Sequence, residues 1–174
     1  AISRIKSAWG PCAKTPRLIS VIVSYLYSTD NNKVLLKDEL ERIENYVALE
    51  KINLAAPLNF QIIVENNVPL RRLFLPPMLI QPLLENALQH GLKEISNPKL
   101  KITVGLKNKV LIISIKDNGR GFEEKHIEMI DSSQSIGISN VKKRIALIEQ
   151  LEKKKITIEF NTNQGLEVVL KIPQ

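Results

Sequence analysis

Disulfides, membrane-length apolar runs and aromatic clusters are all missing from this chain. Cys12 is the one cysteine in 174 residues, so no internal disulfide can form and a reducing compartment fits. A single thiol is also too little for a zinc site. The longest apolar run, Leu18 to Tyr27, is broken by serines and too short to span a bilayer. Ala1 to Gly10 carries two basic residues and no apolar core, so no signal-peptide pattern is visible there. Aromatic residues make up 5%, few for stacking nucleic-acid bases. The net charge of +7 comes from lysines spread along the chain, and the one dense run is Lys153-Lys154-Lys155. That run reads as helix C-terminal cations complementing the dipole, so no nucleic-acid partner is expected. No internal repeat or low-complexity tract is present.

An apolar content of 44% and a charged content of 25% are those of a globular protein. The length suits one domain plus an appendage. The chemistry concentrates in two segments. Pro76 to Gly91 reads PPMLIQPLLENALQHG. At roughly 100° per residue, Glu85, Asn86, Gln89 and His90 share one polar arc, opposite Ile80, Leu84, Ala87 and Leu88. Pro77 suits a first helical turn, Pro82 must also sit early, and Gly91 is a plausible stop. The plain alternative is a solvated helix face. Against it stands the composition: a carboxylate, a neutral amide oxygen and an imidazole within two turns. Magnesium takes oxygen ligands and keeps waters, so one amide oxygen plus phosphates would hold it.

The second segment is a strand, Val110-Leu-Ile-Ile-Ser-Ile-Lys116, rich in β-branched residues, ending in Asp117-Asn-Gly-Arg-Gly-Phe122. Gly119 and Gly121 allow conformations and approaches that a Cβ would block. Alone, this is an ordinary Asn-Gly turn. Paired with the helix motif about thirty residues earlier, it supplies the parts for gripping a magnesium nucleotide.

The chain resembles the ATP-binding part of LytS-type sensor histidine kinases, within the superfamily shared by gyrase, the large heat-shock chaperone and MutL. The helix is similar to the family's N box and Asp117 to Phe122 to its first glycine box. Ser135-Ile-Gly-Ile-Ser-Asn-Val-Lys-Lys-Arg144 resembles the second glycine box and the helix after it. Gly165 to Pro173 resembles the closing strand, and Leu36 to Tyr46 the segment before the catalytic domain. The resemblance covers about Thr15 to Pro173. It implies that Asn86 holds Mg2+ and that Glu85 acts catalytically at the transferred phosphate. His90 would reach the phosphates and Asp117 the exocyclic amine of adenine. Gly119, Gly121, Phe122, Gly137 and Ile138 would complete the ATP-contacting set, with backbone N–H groups near Gly137 facing phosphate. Lys142, Lys143 or Arg144 would assist, with their facing undecided and a solvated basic face as the alternative.

The chain departs from the family pattern at two positions. Ser135 stands where a glycine is usual, and Leu166 where a threonine usually follows the last glycine. No Asn-Pro-His-Phe-like acceptor box is present: His90 belongs to the N box and His126 lies in a polar stretch. The chain reads as a fragment beginning past that box, lacking its own substrate histidine. The resemblance implies a homodimer in the intact protein, a response regulator as phosphate receiver, and a membrane attachment only through upstream segments, with this domain cytoplasmic. A related ATPase without kinase activity and a degenerate interaction module remain alternatives.

The order of expected elements is helices first, then strands mixed with helices. Residues 16–28 read as a helix and 36–54 as a long amphipathic one, with its stripe at Leu36, Leu40, Ile43, Val47 and Glu50. Glu39, Arg42 and Glu44 fall outside that stripe. Strands are expected at 58–64, 99–106, 109–117, 156–161 and 166–172, a helix at 139–151, and a short lid helix at 123–130 inside a mobile stretch, 123–136. The fold class is α+β: a two-layer α/β sandwich of the Bergerat type, a mixed sheet with helices on one face. Residues 1–55 are assigned to a truncated dimerisation region and 56–174 to the ATP-binding catalytic domain.

Overall fold

The computed structural model describes residues 33–121, 136–162 and 164–174. By its internal contacts the chain divides after Asn32, and Lys33–Gln174 is one compact unit. The expected helix at 16–28, the lid helix at 123–130 and the mobile stretch lie wholly or almost wholly outside the described residues.

The elements are β1 (Val34–Leu35), α1 (Leu36–Glu50), β2 (Asn59–Val64), β3 (Phe74–Leu75), α2 (Gln81–Asn86), β4 (Lys99–Lys107), β5 (Val110–Asp117), α3 (Ile136–Glu152), β6 (Thr157–Asn161) and β7 (Glu167–Pro173). A 3₁₀ turn, Lys51–Asn53, closes α1, and a π-helical turn, Ala87–Gly91, continues α2. The main sheet runs β2-β4-β5-β7-β6. The β2–β4 pair is parallel and the rest antiparallel, so the sheet is mixed, as expected. Among the described residues no helix is long and apolar enough to cross a membrane.

Alternation decides which face is covered. On β4 the buried set is Leu100, Ile102 and Val104; on β5 it is Leu111, Ile113 and Ile115; on β7 it is Val168, Leu170 and Ile172. Residues of one parity point to one face. These meet Leu84, Ala87 and Leu88 of the motif helix and Ile138, Val141 and Ile145 of α3 in one core. The turn of the β4–β5 hairpin falls on Asn108-Lys109, one residue later than expected, because Lys107 pairs with Val110. Both turn residues have positive φ, 50° and 61°. This handedness matches the twist of the flanking strands.

Helix α1 joins the same core through Leu36, Leu40, Ile43 and Val47. Its start is stitched to the segment before α2: β1 pairs with β3, and Leu36 N–H donates to Leu73 O at 2.9 Å. The stripe is wider than the sequence suggests, for Glu39 is buried and Glu50 is not. Glu39 lies three residues after Leu36 and four before Ile43, hence on their face. Only its chemical type argued for solvent.

The motif helix begins at Gln81, not at Pro77. Pro82 therefore occupies the first turn, where its missing N–H costs no internal bond. Pro77 sits in the preceding turn beside Met78, whose φ is 64°.

Candidate functional site

Three chain segments cross at the end of β5. The first is Gly91, where the π-helical turn ends. The second is Asp117-Asn118-Gly119, leaving the strand. The third is Gly165-Leu166, entering β7. A Cβ on Gly119 would lie 2.4 Å from Gly91 O, and one on Gly165 would lie 2.1 Å from Asp117 O. Neither fits, so the backbones touch directly, and Gly165 also holds φ at +107°. The expectation that Gly119 serves a close approach thus has a concrete object: the main chain of the motif helix.

Asp117 continues the inward parity of Leu111, Ile113 and Ile115. Its carboxylate is therefore delivered to the covered side of the sheet, where it is 4% exposed. Oδ1 accepts from Gly119 N–H at 2.8 Å and from Leu166 N–H at 3.3 Å. Its own N–H donates to Leu166 O at 2.9 Å. Burial raises its pKa, and the two backbone donors oppose that rise. Among the described residues Oδ2 has no hydrogen-bond partner. A Cβ on Gly91 would meet both carboxylate oxygens at 3.4–3.5 Å, so the end of the motif helix borders this acid.

Further up the helix, Asn86 is buried at 8% exposure and Glu85 is half-buried. Gln81 Nε2 donates to Glu85 Oε1 at 3.1 Å across one turn. His90 is exposed, and Gln89 is half-buried. The π turn changes the angular step between Asn86 and His90. Leu92 N–H reaches back five residues to Ala87 O at 2.8 Å, so the simple 100° wheel does not hold here. Such turns widen a helix and recur at functional sites.

Gly121 has φ +66°, and a Cβ there would lie 3.1 Å from Gly165 O. Gly137 and Ile138 fall at the beginning of α3 as described, with Ile138 fully buried. Ile138 is thus part of the core beneath the site. Phe122 and Ser135 lie outside the described residues. The structure brings Gly91, Asp117, Gly119, Gly121, Gly165 and Leu166 together. Glu85 and Asn86 stand on the helix that leads to this crossing.

Sequence reasoning missed Asn118. Its Oδ1 accepts from Lys99 N–H at 2.7 Å, and its Nδ2 donates to Asn97 O at 2.9 Å. It pins the loop between the motif helix and β4 against the strand end. Asparagine after a strand, before glycine, signals a turn but not this long-range clamp. Arg120 and Glu94 form an exposed ion pair across the same two segments. Leu166 contributes through its backbone: its N–H, not a side-chain hydroxyl, serves Asp117. Among the described residues no cluster of three or more His, Cys, Asp or Glu could hold a metal. The Asn86 amide is a neutral oxygen that suits magnesium when phosphates supply the other ligands.

Comparison with known proteins bears on the family and the fold. The model of the histidine kinase-, DNA gyrase B- and HSP90-like ATPase family matches residues 76–174. The sensor protein kinase HptS of Staphylococcus aureus (strain USA300) is 26% identical over 163 residues, covering 89% of this chain and 31% of that protein. The chain thus spans about a third of the length of the curated relatives it matches. Among solved structures, the histidine kinase domain of the Erythrobacter litoralis EL346 blue-light activated kinase superposes with a TM-score of 0.60 at 18% identity, covering 80% of this chain and 61% of that one. The Acinetobacter baumannii histidine kinase AdeS gives 0.61 at 16% identity, covering 91% and 76%.

Proposed function

Because the chain belongs to the histidine kinase-, DNA gyrase B- and HSP90-like ATPase family, we propose that it is the ATP-binding catalytic module of a LytS-type two-component sensor histidine kinase. The seat of Asp117 carries this reading. One carboxylate oxygen is fixed by two backbone N–H groups. The other is left facing the segment that ends the motif helix, suited to accept from the exocyclic amine of adenine. A buried acid with immobile supports is a preorganised acceptor, and its geometry costs nothing to assemble on binding.

Asn86 would hold Mg2+ through its amide oxygen, which would neutralise the phosphate charge when bound. His90 reaches outward toward the phosphates. Gly119, Gly121 and Gly137 would bring backbone close to the nucleotide and Phe122 would border it, while Ile138, expected from the sequence to contact ATP, lies in the core beneath. Glu85, oriented by Gln81, polarises the attacking imidazole of a protein histidine. That nitrogen forms the new bond to the γ-phosphorus as the bond to the β-phosphate oxygen breaks, and ADP leaves. Catalysis by such a module is mostly positioning and charge stabilisation.

The intact protein would be a homodimer passing phosphate to a response regulator, anchored in the inner membrane with this module cytoplasmic. The names of its relatives as sensor kinases support this. Residues 1–55 would carry part of the dimerisation and phosphotransfer region, with α1 bracing the catalytic domain at 56–174. Magnesium with a non-hydrolysable ATP analogue should raise the melting temperature by ligand linkage. Glu85→Gln should keep that shift and abolish phosphotransfer in the full-length kinase. The absence of any shift at millimolar nucleotide sinks the reading and favours a module that only holds a partner.

A further inference from the structure

One end of the domain carries positive charge that its own carboxylates leave unanswered. Arg72, before β3, and Lys154, after α3, line one groove of about 260 Å³. Arg72 is exposed and Lys154 half-buried. Among the described residues neither side chain forms an ion pair. The third cation of the groove, Lys33, is already taken, for it holds Glu152 at 2.9 Å. Glu152 is the one carboxylate among the lining residues, so that pair cancels and two positive charges remain. The carbonyl end of α3 answers at most about half of one charge. Serving a helix dipole, the role expected of the run Lys153-Lys154-Lys155, therefore accounts for only part of it. Arg71, Lys153 and Lys155 are exposed cations next to these two in the chain.

Beneath this rim the groove is apolar. Pro76, Ile156 and Ile172 line it although they are buried, so they form its floor. Ile148 of α3 is half-buried beside them, and Phe74 keeps 49% of its surface exposed. Shape and charge together select the occupant. A bilayer surface would meet the cationic rim and leave the recessed floor in water. Nucleic acid draws its affinity from many phosphate contacts, and two free cations supply few. A protein segment that sets carboxylates against Arg72 and Lys154 and an apolar side chain on the floor answers both parts.

We propose that this groove docks an acidic segment of a partner protein, an extended peptide in which carboxylates bracket an apolar anchor. The groove lies at the end of the sheet where Val110 pairs with Pro173, the opposite end of β5 from Asp117. At the rise of an extended strand the two ends are roughly 20 Å apart. The partner segment and a ligand at Asp117 therefore occupy separate ends of one domain, and docking does not depend on nucleotide.

The test is selection of a random library of short peptides on the immobilised whole chain, followed by titration of the most enriched peptide, fluorescently labelled, by polarisation. Enriched sequences should carry aspartate or glutamate on both sides of an apolar residue. Arg72→Glu combined with Lys154→Glu should weaken the labelled peptide roughly tenfold or more, as loss of charge-assisted contacts does. Phe74→Ala should weaken it as well, and the wild-type affinity should fall as salt is raised. Should the double variant fail to melt cooperatively, Arg72→Ala, at an exposed side chain, is read in the same way. A selection that enriches no acidic sequence, or a peptide whose affinity survives the charge reversal, overturns the proposal. Without peptide binding, attachment to phosphatidylglycerol vesicles that the charge reversal abolishes assigns the rim to lipid. Self-association that it abolishes assigns the groove to a second copy of the chain. Either result also overturns the proposal.

Discussion

Glu39 on α1 and Asp117 at the end of β5 are withdrawn from water almost equally, at 5% and 4% exposure. In both, burial raises the pKa. What opposes it differs. Arg42 approaches Glu39 from the next helical turn, at 3.7 Å, on a side chain that is itself half exposed. Asp117 is held by the main chain of two crossing segments. A side-chain partner can swing away and be replaced by water, whereas a backbone N–H moves only if the fold moves. One acid is thus tolerated by its surroundings and the other is fixed by them. Binding sites require the second kind of support.

The difference can be broken outright by Gly165→Ala. The new methyl would lie 2.1 Å from Asp117 O at a φ of +107°, so β7 must withdraw from the strand end. The expected loss is more than about 3 kcal/mol of stability, from overlap plus backbone strain. Denaturant unfolding should read it, together with the disappearance of any nucleotide-induced thermal shift. A variant of near wild-type stability would show that the crossing yields easily and that Asp117 is no better anchored than Glu39.

Asp117→Asn probes function with less damage. The amide oxygen can still accept from Gly119 and Leu166, while the amide nitrogen turns a donor toward the ligand. Adenine nucleotides should bind about 10- to 100-fold more weakly, the scale of a lost hydrogen bond to a charged group. The melting temperature of the free protein should move little. Unchanged affinity in calorimetry would remove Asp117 from base recognition.

The smallest effect is expected at Glu39. Its folded pKa lies above the ordinary value of about 4.5, so the folded state holds its proton more tightly than the unfolded chain. The stabilisation from that proton is full below about 4.5 and is lost as pH rises through the folded pKa. Glu39→Gln should therefore be more stable than wild type near neutral pH, with the gap closing on acidification and nucleotide affinity unaltered. Thermal melts across pH would check both. A gap that widens toward acid would mean that Arg42, not desolvation, governs Glu39.

Much of this arrangement was legible in the residues. The β4–β5 hairpin announced itself by alternation and β-branching, and the amphipathic split of the motif helix placed Leu84, Ala87 and Leu88 in the core where they are found. Asp117 and Gly119 stood out because a carboxylate and a glycine at a strand end contradict the strand's own pattern. Other features were hidden because they depend on distant partners. The π turn at Ala87–Gly91 leaves no periodic signature in five residues. Gly165 reads as a hairpin glycine until the carbonyl it makes room for is known. Asn118 reads as a turn residue until the loop at Asn97 arrives beside it. Glu39 shows that spacing outranks polarity when the two disagree. The helix began later than Pro77 because two prolines competed for one first turn, and nothing local ranks them.

One consequence follows from the parity of β5. Asp117 faces the covered side only because an even count separates it from Leu111, Ile113 and Ile115. A single residue inserted between Ile115 and Lys116 would turn the acid out to open water and drop Lys116 into its seat. The placement of the carboxylate therefore rests on unbroken alternation along the strand that carries it.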